Sequence, residues 1–375
     1  MSTATVTTGA GRRSRRPLPR WSTVPAWGRW AAYALLFVLA ILLPAIPGIS
    51  TVMSPGNNWT GVLIYPVGLY ILMALGLNVV VGYAGLLDLG YVAFFAIGAY
   101  TDAVMSTKYG WSFWESLPVG IALSMLAGIV LGTPTLRLRG DYLAIVTLGF
   151  GEIIRVTANN TDYLGGPRGI SSIPRPSVDS SLPLSGQLQF GALHLRAYWY
   201  LIVVLIALVI IIAKRLEGSR VGRAWAAIRE DEDAAELMGV PTLRFKLAAF
   251  AIGAAIAGAG GAVFASRQIA IVPDNFLFQL SALILAAVVL GGSGNVPGVI
   301  LGAFLVAWLP ERFRGFQEYR YLFFGAALVL IMLFRPEGLL PNSRRRAELE
   351  EGTGGMGSLG GGVGAAATQN VEVDE

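Results

Sequence analysis

Ten apolar runs, most of them about as long as a bilayer's hydrocarbon core is thick, constrain this chain more than any other feature. They lie at about Trp30–Ile46, Gly61–Val81, Leu86–Met105, Leu117–Leu131, Tyr142–Ala158, Ala197–Ala213, Leu247–Ala265, Phe278–Leu290, Val296–Leu309 and Tyr321–Leu333. Runs of this kind read as membrane helices, so the expected fold class is an all-α polytopic membrane protein with about ten transmembrane segments, some of them short or broken. The eighth and ninth runs are too short for ordinary full spans and flank Gly291-Gly292-Ser293-Gly294-Asn295, a helix-breaking stretch.

Composition narrows the function. Of 375 residues, 54% are hydrophobic and 14% charged, about half the charge of a typical soluble domain. That leaves no room for a second soluble domain of ordinary size. With no cysteine and a single histidine, His194, the chain lacks disulfides, thiolate nucleophiles and the usual metal or acid–base clusters. None of Lys108, Lys214 and Lys246 follows the glycine spacing that cradles phosphates. The Gly-x-Gly-x-x-Gly match at Gly352, Gly354 and Gly357 falls in low-complexity sequence with no preceding strand. The expectation is therefore a chain that is not an enzyme, hydrolyses no ATP itself, and has neither catalytic residues nor a metal or other cofactor. The net charge of +5 comes from basic residues at segment ends rather than from one stripe, so no nucleic-acid partner is expected.

Those segment-end charges report orientation. With the N-terminus inside, inner segments carry 19 Lys and Arg residues and outer segments 8, which places both termini in the cytoplasm. Residues 1–28 read as a disordered basic cytoplasmic tail, 29–341 as the transmembrane domain, and 342–375 as a flexible Gly-rich cytoplasmic tail. Two loops are long enough to carry function. The outer one, 159–196, holds Gly165-Gly166-Pro167-Arg168-Gly169. The inner one, 214–246, has seven basic and six acidic residues around a helical core without Pro or Gly from Arg223 to Met238, which reads as an interaction helix.

Two glycine breaks echo each other: Gly82-Tyr83-Ala84-Gly85 in one half and Gly291-Gly292-Ser293-Gly294 in the other. Such interrupted segments in corresponding positions point to a transporter's substrate path, making Gly82, Gly85, Gly291, Gly292 and Gly294 candidate path residues. Asp88, just past the first break, either holds a substrate ammonium or caps the following helix. Of the other carboxylates, Asp102 and Asp141 lie near segment ends where water reaches them. Glu152 and Arg155 are placed to pair on one helix face. Gly128-xxx-Gly132 and Gly298-xxx-Gly302 read as close-packing helix faces.

The inner loop reads Gly222-Arg223-Ala224-Trp225 through Arg229-Glu230-Asp231-Glu232-Asp233-Ala234-Ala235-Glu236-Leu237-Met238-Gly239, then Phe245-Lys246 to Gly260-Gly261. Together with Gly76-Leu77-Asn78 through Tyr100, Leu136–Tyr142 and Gly165–Ile170, it resembles the branched-chain amino-acid family of ABC-importer permeases, LivM type, over about residues 61–341. The resemblance implies the ABC-importer permease fold in the cell inner membrane and ATP-driven import of branched-chain or related amino acids. It also implies a second homologous permease, two ATP-binding subunits that do the hydrolysis, and an external solute-binding protein. Asp233, Ala234, Ala235 and Gly239 match the family's coupling motif, with Asp at the usual Glu position, and Arg229 belongs to the same stretch; in the family this helix docks on the ATPase. Gly165, Gly166 and Gly169 match its outer-loop motif. Permeases for urea or short amides are the nearest alternative. An ion-coupled secondary transporter is the rival from another class, and it has no need of the coupling loop.

Overall fold

The computed structural model describes residues 38–45, 58–136, 141–177, 190–191 and 195–312, with isolated positions between 322 and 340. Both predicted tails, residues 137–140 and most of the runs Trp30–Ile46 and Tyr321–Leu333 lie outside them. The chain divides into two units. In Met1–Leu43, residues 38–42 are helical; Pro44–Glu375 holds the elements below.

Among the described residues this second unit is helical, apart from one antiparallel bridge between Ile170 and Ile271. Helix α1 is Trp59–Tyr83. Asn58 starts it by accepting from the Thr60 N–H at 3.1 Å. It kinks at Tyr65 (φ −140°, ψ 122°), just ahead of Pro66, which supplies no N–H, and its turns widen over Asn78–Tyr83. There follow α2 (Val92–Lys108), α3 (Phe113–Thr135), α4 (Asp141–Asn160) and α5 (Leu195–Glu217). Two short helices, α6 (Arg220–Glu230) and α7 (Glu232–Leu237), lead to α8 (Thr242–Gln268), α9 (Phe278–Gly291) and α10 (Val296–Arg312).

Helix α8 is the centre of the bundle, and its sequence says why. From Ala248 to Ala265 it is mostly Ala and Gly, so neighbouring backbones approach closely. A Cβ at Gly258 would overlap Ser124 of α3, and one at Gly261 would overlap the Phe95 carbonyl of α2. Gly128 of α3 faces Ala254 and Phe250, and Gly298 and Gly302 of α10 face the backbone of α9. The small-residue faces are packing faces.

Eight of the ten apolar runs coincide with described helices. Among the described residues, five stretches are long and apolar enough to cross a membrane: Trp59–Tyr83, Phe113–Thr135, Leu195–Glu217, Thr242–Gln268 and Pro273–Gly291. The run expected to span from Leu86 is helical only from Val92, because Ala84–Tyr91 is irregular, not helical. Gly85 takes φ +73°, and Thr147 of α4 lies against Gly90 so closely that any side chain there would overlap its carbonyl. The inner loop also departs from expectation. Its helical core is not continuous but breaks at Asp231 (φ −155°, ψ 113°), an N-cap residue whose carboxylate accepts from the Ala234 N–H at 3.0 Å.

Candidate functional site

The inner loop is a two-helix bracket. Ser219 caps α6 by accepting from the Val221 and Gly222 N–H groups at 3.1 and 3.3 Å. Helix α7 ends in a Schellman turn: Val240 N–H donates to the Ala235 carbonyl and Gly239 N–H to that of Glu236, with Gly239 at φ +84°. Nothing lies within 4 Å of a Cβ at Gly239, so glycine is needed there for its φ, not for space. The predicted pair of docking alanines splits. Ala235 faces the protein, whereas Asp233, Ala234, Leu237 and Met238 are exposed, Leu237 at 89% and Met238 at 85%.

Three side chains fasten the bracket to the membrane helices. Trp225, fully buried, donates its indole N–H to the Phe245 carbonyl at 2.7 Å and stacks on Tyr83 at the end of α1. Lys246, buried in α8, pairs with Glu232 at the start of α7. Arg229 donates to the Gly82 carbonyl, and its Cβ and Cγ lie over Gly85, where a Cβ would meet them at 2.8–3.2 Å. A member of the coupling stretch thus seats on the first glycine break.

The two breaks, distant in sequence, meet here. Asn78 accepts from the Gly294 N–H at 2.8 Å, and Gly82 faces the same two residues so closely that a Cβ would overlap both. Gly292 (φ +104°) and Gly294 (φ +85°) are left-handed, like Gly85, yet the breaks differ in length. The second spans only Gly292–Asn295 before α10 begins, while the first is the eight-residue stretch 84–91. That stretch turns back into the bundle. The Val92 N–H at the start of α2 is satisfied by Ser281 of α9 at 2.9 Å, about three turns from the α9 end where Gly291 lies. Tyr91 donates to the Gly253 carbonyl at 2.9 Å. Non-helical backbone of this kind is tolerated inside a membrane protein only when it is buried in protein or lines a water-filled cavity.

Asp88 lies in this stretch, fully buried. Its Oδ1 accepts from the Gly90 N–H at 2.9 Å, a local turn ahead of α2, and its Oδ2 has no partner. One oxygen therefore closes that turn without capping α2, whose N-cap Tyr91 makes no side-chain cap bond, and the other stays open. Of the candidate path glycines, Gly82, Gly291, Gly292 and Gly294 are buried and only Gly85 is exposed.

The outer-loop motif is a docking turn. Gly165, Gly166 and Gly169 have φ of +87°, +56° and +68°. A Cβ at Gly165 would overlap the Gly169 carbonyl, and one at Gly169 that of Ile271. This geometry lets Ile170 exchange two 2.9 Å backbone hydrogen bonds with Ile271 beyond α8. Nearby, Tyr163 hydrogen-bonds Tyr109 hydroxyl to hydroxyl at 3.1 Å, which raises the Tyr163 pKa. Glu152 and Arg155 pair at 2.8 Å, as their spacing predicts. Asp102 is not wet as expected. It is 1% exposed, because α3 folds back over it.

Asn78, Trp225, Lys246 and Ser281 were not among the predicted site residues. The signal for Asn78 was a lone amide in an apolar run, and for Lys246 a charge at the start of a membrane helix. Among the described residues no cluster of His, Asp and Glu is arranged to hold a metal.

Residues 61–332 match the family described as branched-chain amino acid transport system / permease component. The high-affinity branched-chain amino acid transport system permease protein LivM of Escherichia coli K12 is 46% identical over 300 residues, 76% of this chain and 70% of that protein. The probable branched-chain amino acid transport permease protein LivM of Methanocaldococcus jannaschii is 27% identical over 325 residues, 73% and 91% of the two chains. The LivH permease protein of the Escherichia coli system is 25% identical over 288 residues, 72% and 91%. No solved structure matches.

Proposed function

The chain belongs to the family of permease components of branched-chain amino acid transport systems, and from that premise we propose that it is the membrane subunit through which an ABC importer brings branched-chain amino acids into the cell. In this reading it has about ten spans with both termini cytoplasmic, and it works with a second homologous permease, two ATP-binding subunits and an external binding protein. ATP hydrolysis belongs to the partners. The exposed end of α7, with Asp233, Ala234, Leu237 and Met238, docks on an ATP-binding subunit, while Ala235 and Gly239 shape the helix that presents it.

One observation carries the reading: the bracket touches the joint where both helices break. Arg229 bonds to Gly82, and Asn78 joins that turn to Gly294. A push on α7 therefore reaches both breaks through direct contacts, as ATP-driven switching requires. Gly82, Gly85, Asp88, Gly291, Gly292 and Gly294 form the inner closure of the substrate path, opened when the bracket moves. A secondary transporter has no use for such a bracket.

The test uses the complete importer in vesicles. Leu237→Asp with Met238→Asp changes only exposed side chains, so the permease inserts normally. The expected result is that the ATP-binding subunits no longer co-purify with it and leucine uptake falls at least tenfold. Wild-type uptake by this double variant sinks the proposal.

A further inference from the structure

At the end of the bundle away from the bracket lies a group of buried polar side chains that the reading above leaves unused. Asp102, near the end of α2, is 1% exposed. Its Oδ1 is held by the Ser116 hydroxyl, which also lies 3.0 Å from the Phe113 carbonyl and has one proton to share between them. The Asp102 Oδ2 is buried and has no partner. At the end of α8, the Nε–H of Arg267 is likewise buried without a partner. Beside Arg267, the Ser266 carbonyl accepts from the hydroxyl of Tyr198 on α5 at 2.9 Å. Phe190 packs edge-on against the Tyr198 ring at 5.0 Å, and Trp114 against Phe190 at 6.3 Å.

A buried carboxylate oxygen and a buried guanidinium Nε–H at the same end of the bundle each pay heavily for staying open in a low-dielectric setting. No ion pair joins them, and each keeps one open position: an acceptor on Asp102 and a donor on Arg267. The ligand that fits this pattern has a cationic donor at one end and an anionic acceptor at the other. An α-amino acid zwitterion has both on one carbon, and the aromatic wall of Tyr198, Phe190 and Trp114 suits an aliphatic side chain. We propose that Asp102 and Arg267 form an outer binding site for the amino acid, Asp102 Oδ2 accepting from its ammonium and Arg267 Nε–H donating to its carboxylate. This site rests on the amino-acid importer reading and takes the substrate before it meets the inner closure.

The experiment compares the full importer, reconstituted with its binding protein, carrying wild-type chain, Asp102→Asn, Asp102→Glu or Arg267→Gln. Leucine uptake and ATP hydrolysis are measured together. In Asp102→Asn and Arg267→Gln, the ATP hydrolysed per leucine imported should rise at least tenfold, because the pump cycles without capturing substrate; Asp102→Glu, which keeps the carboxylate, should recover much of the uptake. A buried structural role would lower hydrolysis and uptake together. Should Asp102→Asn fail to assemble, Arg267→Gln carries the test, since Arg267 is only half-buried at a helix end. Wild-type ratios in the assembled variants overturn the site while leaving the importer reading intact. If the wild-type complex imports no amino acid at all, the importer reading fails and the site falls with it.

Discussion

The two ends of the bundle are built on opposite principles. At the bracket end, backbone lies against backbone at glycine and backbone groups are satisfied by side chains, Gly294 by Asn78, Gly82 by Arg229 and Val92 by Ser281, with Asp88 Oδ2 and the Tyr83 hydroxyl left open. At the outer end, beyond the glycine turn that seats Ile170 on Ile271, side chains make the contacts around Asp102 and Arg267, and each of these keeps an open polar atom. Close-packed joints transmit displacement because they have no slack to absorb it. Open polar groups are costly unless something else completes them. The difference separates an end that moves the protein from an end suited to hold a ligand.

The largest expected effect breaks the tight end outright. Gly90→Val or Gly82→Val places a side chain where the Thr147 carbonyl or the Asn78–Gly294 contact already sits, and no flexible neighbour can yield. Overpacking against backbone should cost about 3 kcal/mol, the upper end of the usual range, so these variants should fail to assemble, read as loss of the folded peak in size-exclusion chromatography. The control is Gly110→Ala at the outer end, where φ is +68° but nothing lies within 4 Å. Its cost is confined to backbone strain of about 1 kcal/mol. If both ends tolerate the change equally, the contrast between them is wrong.

Next comes Arg229→Ala, which removes the link between bracket and break while leaving Trp225 and Lys246 to hold α6 and α7 in place. ATP-binding subunits should still co-purify, yet leucine uptake should fall about tenfold. Arg229→Lys should fall between, because a single ammonium cannot reproduce the geometry of the guanidinium fork. Full uptake by Arg229→Ala would show that force travels instead through the Lys246–Glu232 pair.

The helices were legible because long apolar runs leave few alternatives in a membrane. The coupling stretch was legible because charge is rare in this chain and clusters there. The break at Asp231 was misread: a search for Pro and Gly overlooks that an Asp cap can end one helix and start the next. The meeting of the two glycine breaks was not legible at all. Each break announces itself by local composition, but their contact depends on the tilt of α1 and α9, which no short-range pattern encodes. Asp102 shows the same limit, since its place near the end of a run pointed to water and only the packing of α3 and α8 buries it.

A smaller effect is expected for Asn78→Ala. It leaves the Gly294 N–H buried without an acceptor, at a cost of about 1–3 kcal/mol. Thermal unfolding of the purified permease should shift down by several degrees. Uptake should fall less than in Arg229→Ala, because Arg229 still grips Gly82 directly. A larger uptake defect in Asn78→Ala than in Arg229→Ala would reverse the order of the joint and make the Asn78–Gly294 contact its primary link.

The smallest effect belongs to the outer surface. Lys108, at the end of α2, donates to the Tyr163 carbonyl at 2.6 Å and lies 3.6 Å from the centre of the Tyr163 ring. Both contacts are exposed, so water competes for the ammonium and each is worth only about 0.5–1 kcal/mol. Lys108→Met keeps the aliphatic stem against the ring and removes the charge. Its thermal midpoint should drop by no more than ~2 °C, and leucine uptake should stay within twofold of wild type. The variant separates two ways in which the outer end could work. If substrate capture depends on the buried pair Asp102 and Arg267, the rim can lose a charge without consequence. If capture depends instead on the overall positive field of the outer surface, removing Lys108 should lower uptake several-fold at low ionic strength and less at high salt, because exposed charges are screened. A strong salt-dependent defect in Lys108→Met would therefore move the substrate's first contact from the buried site to the surface.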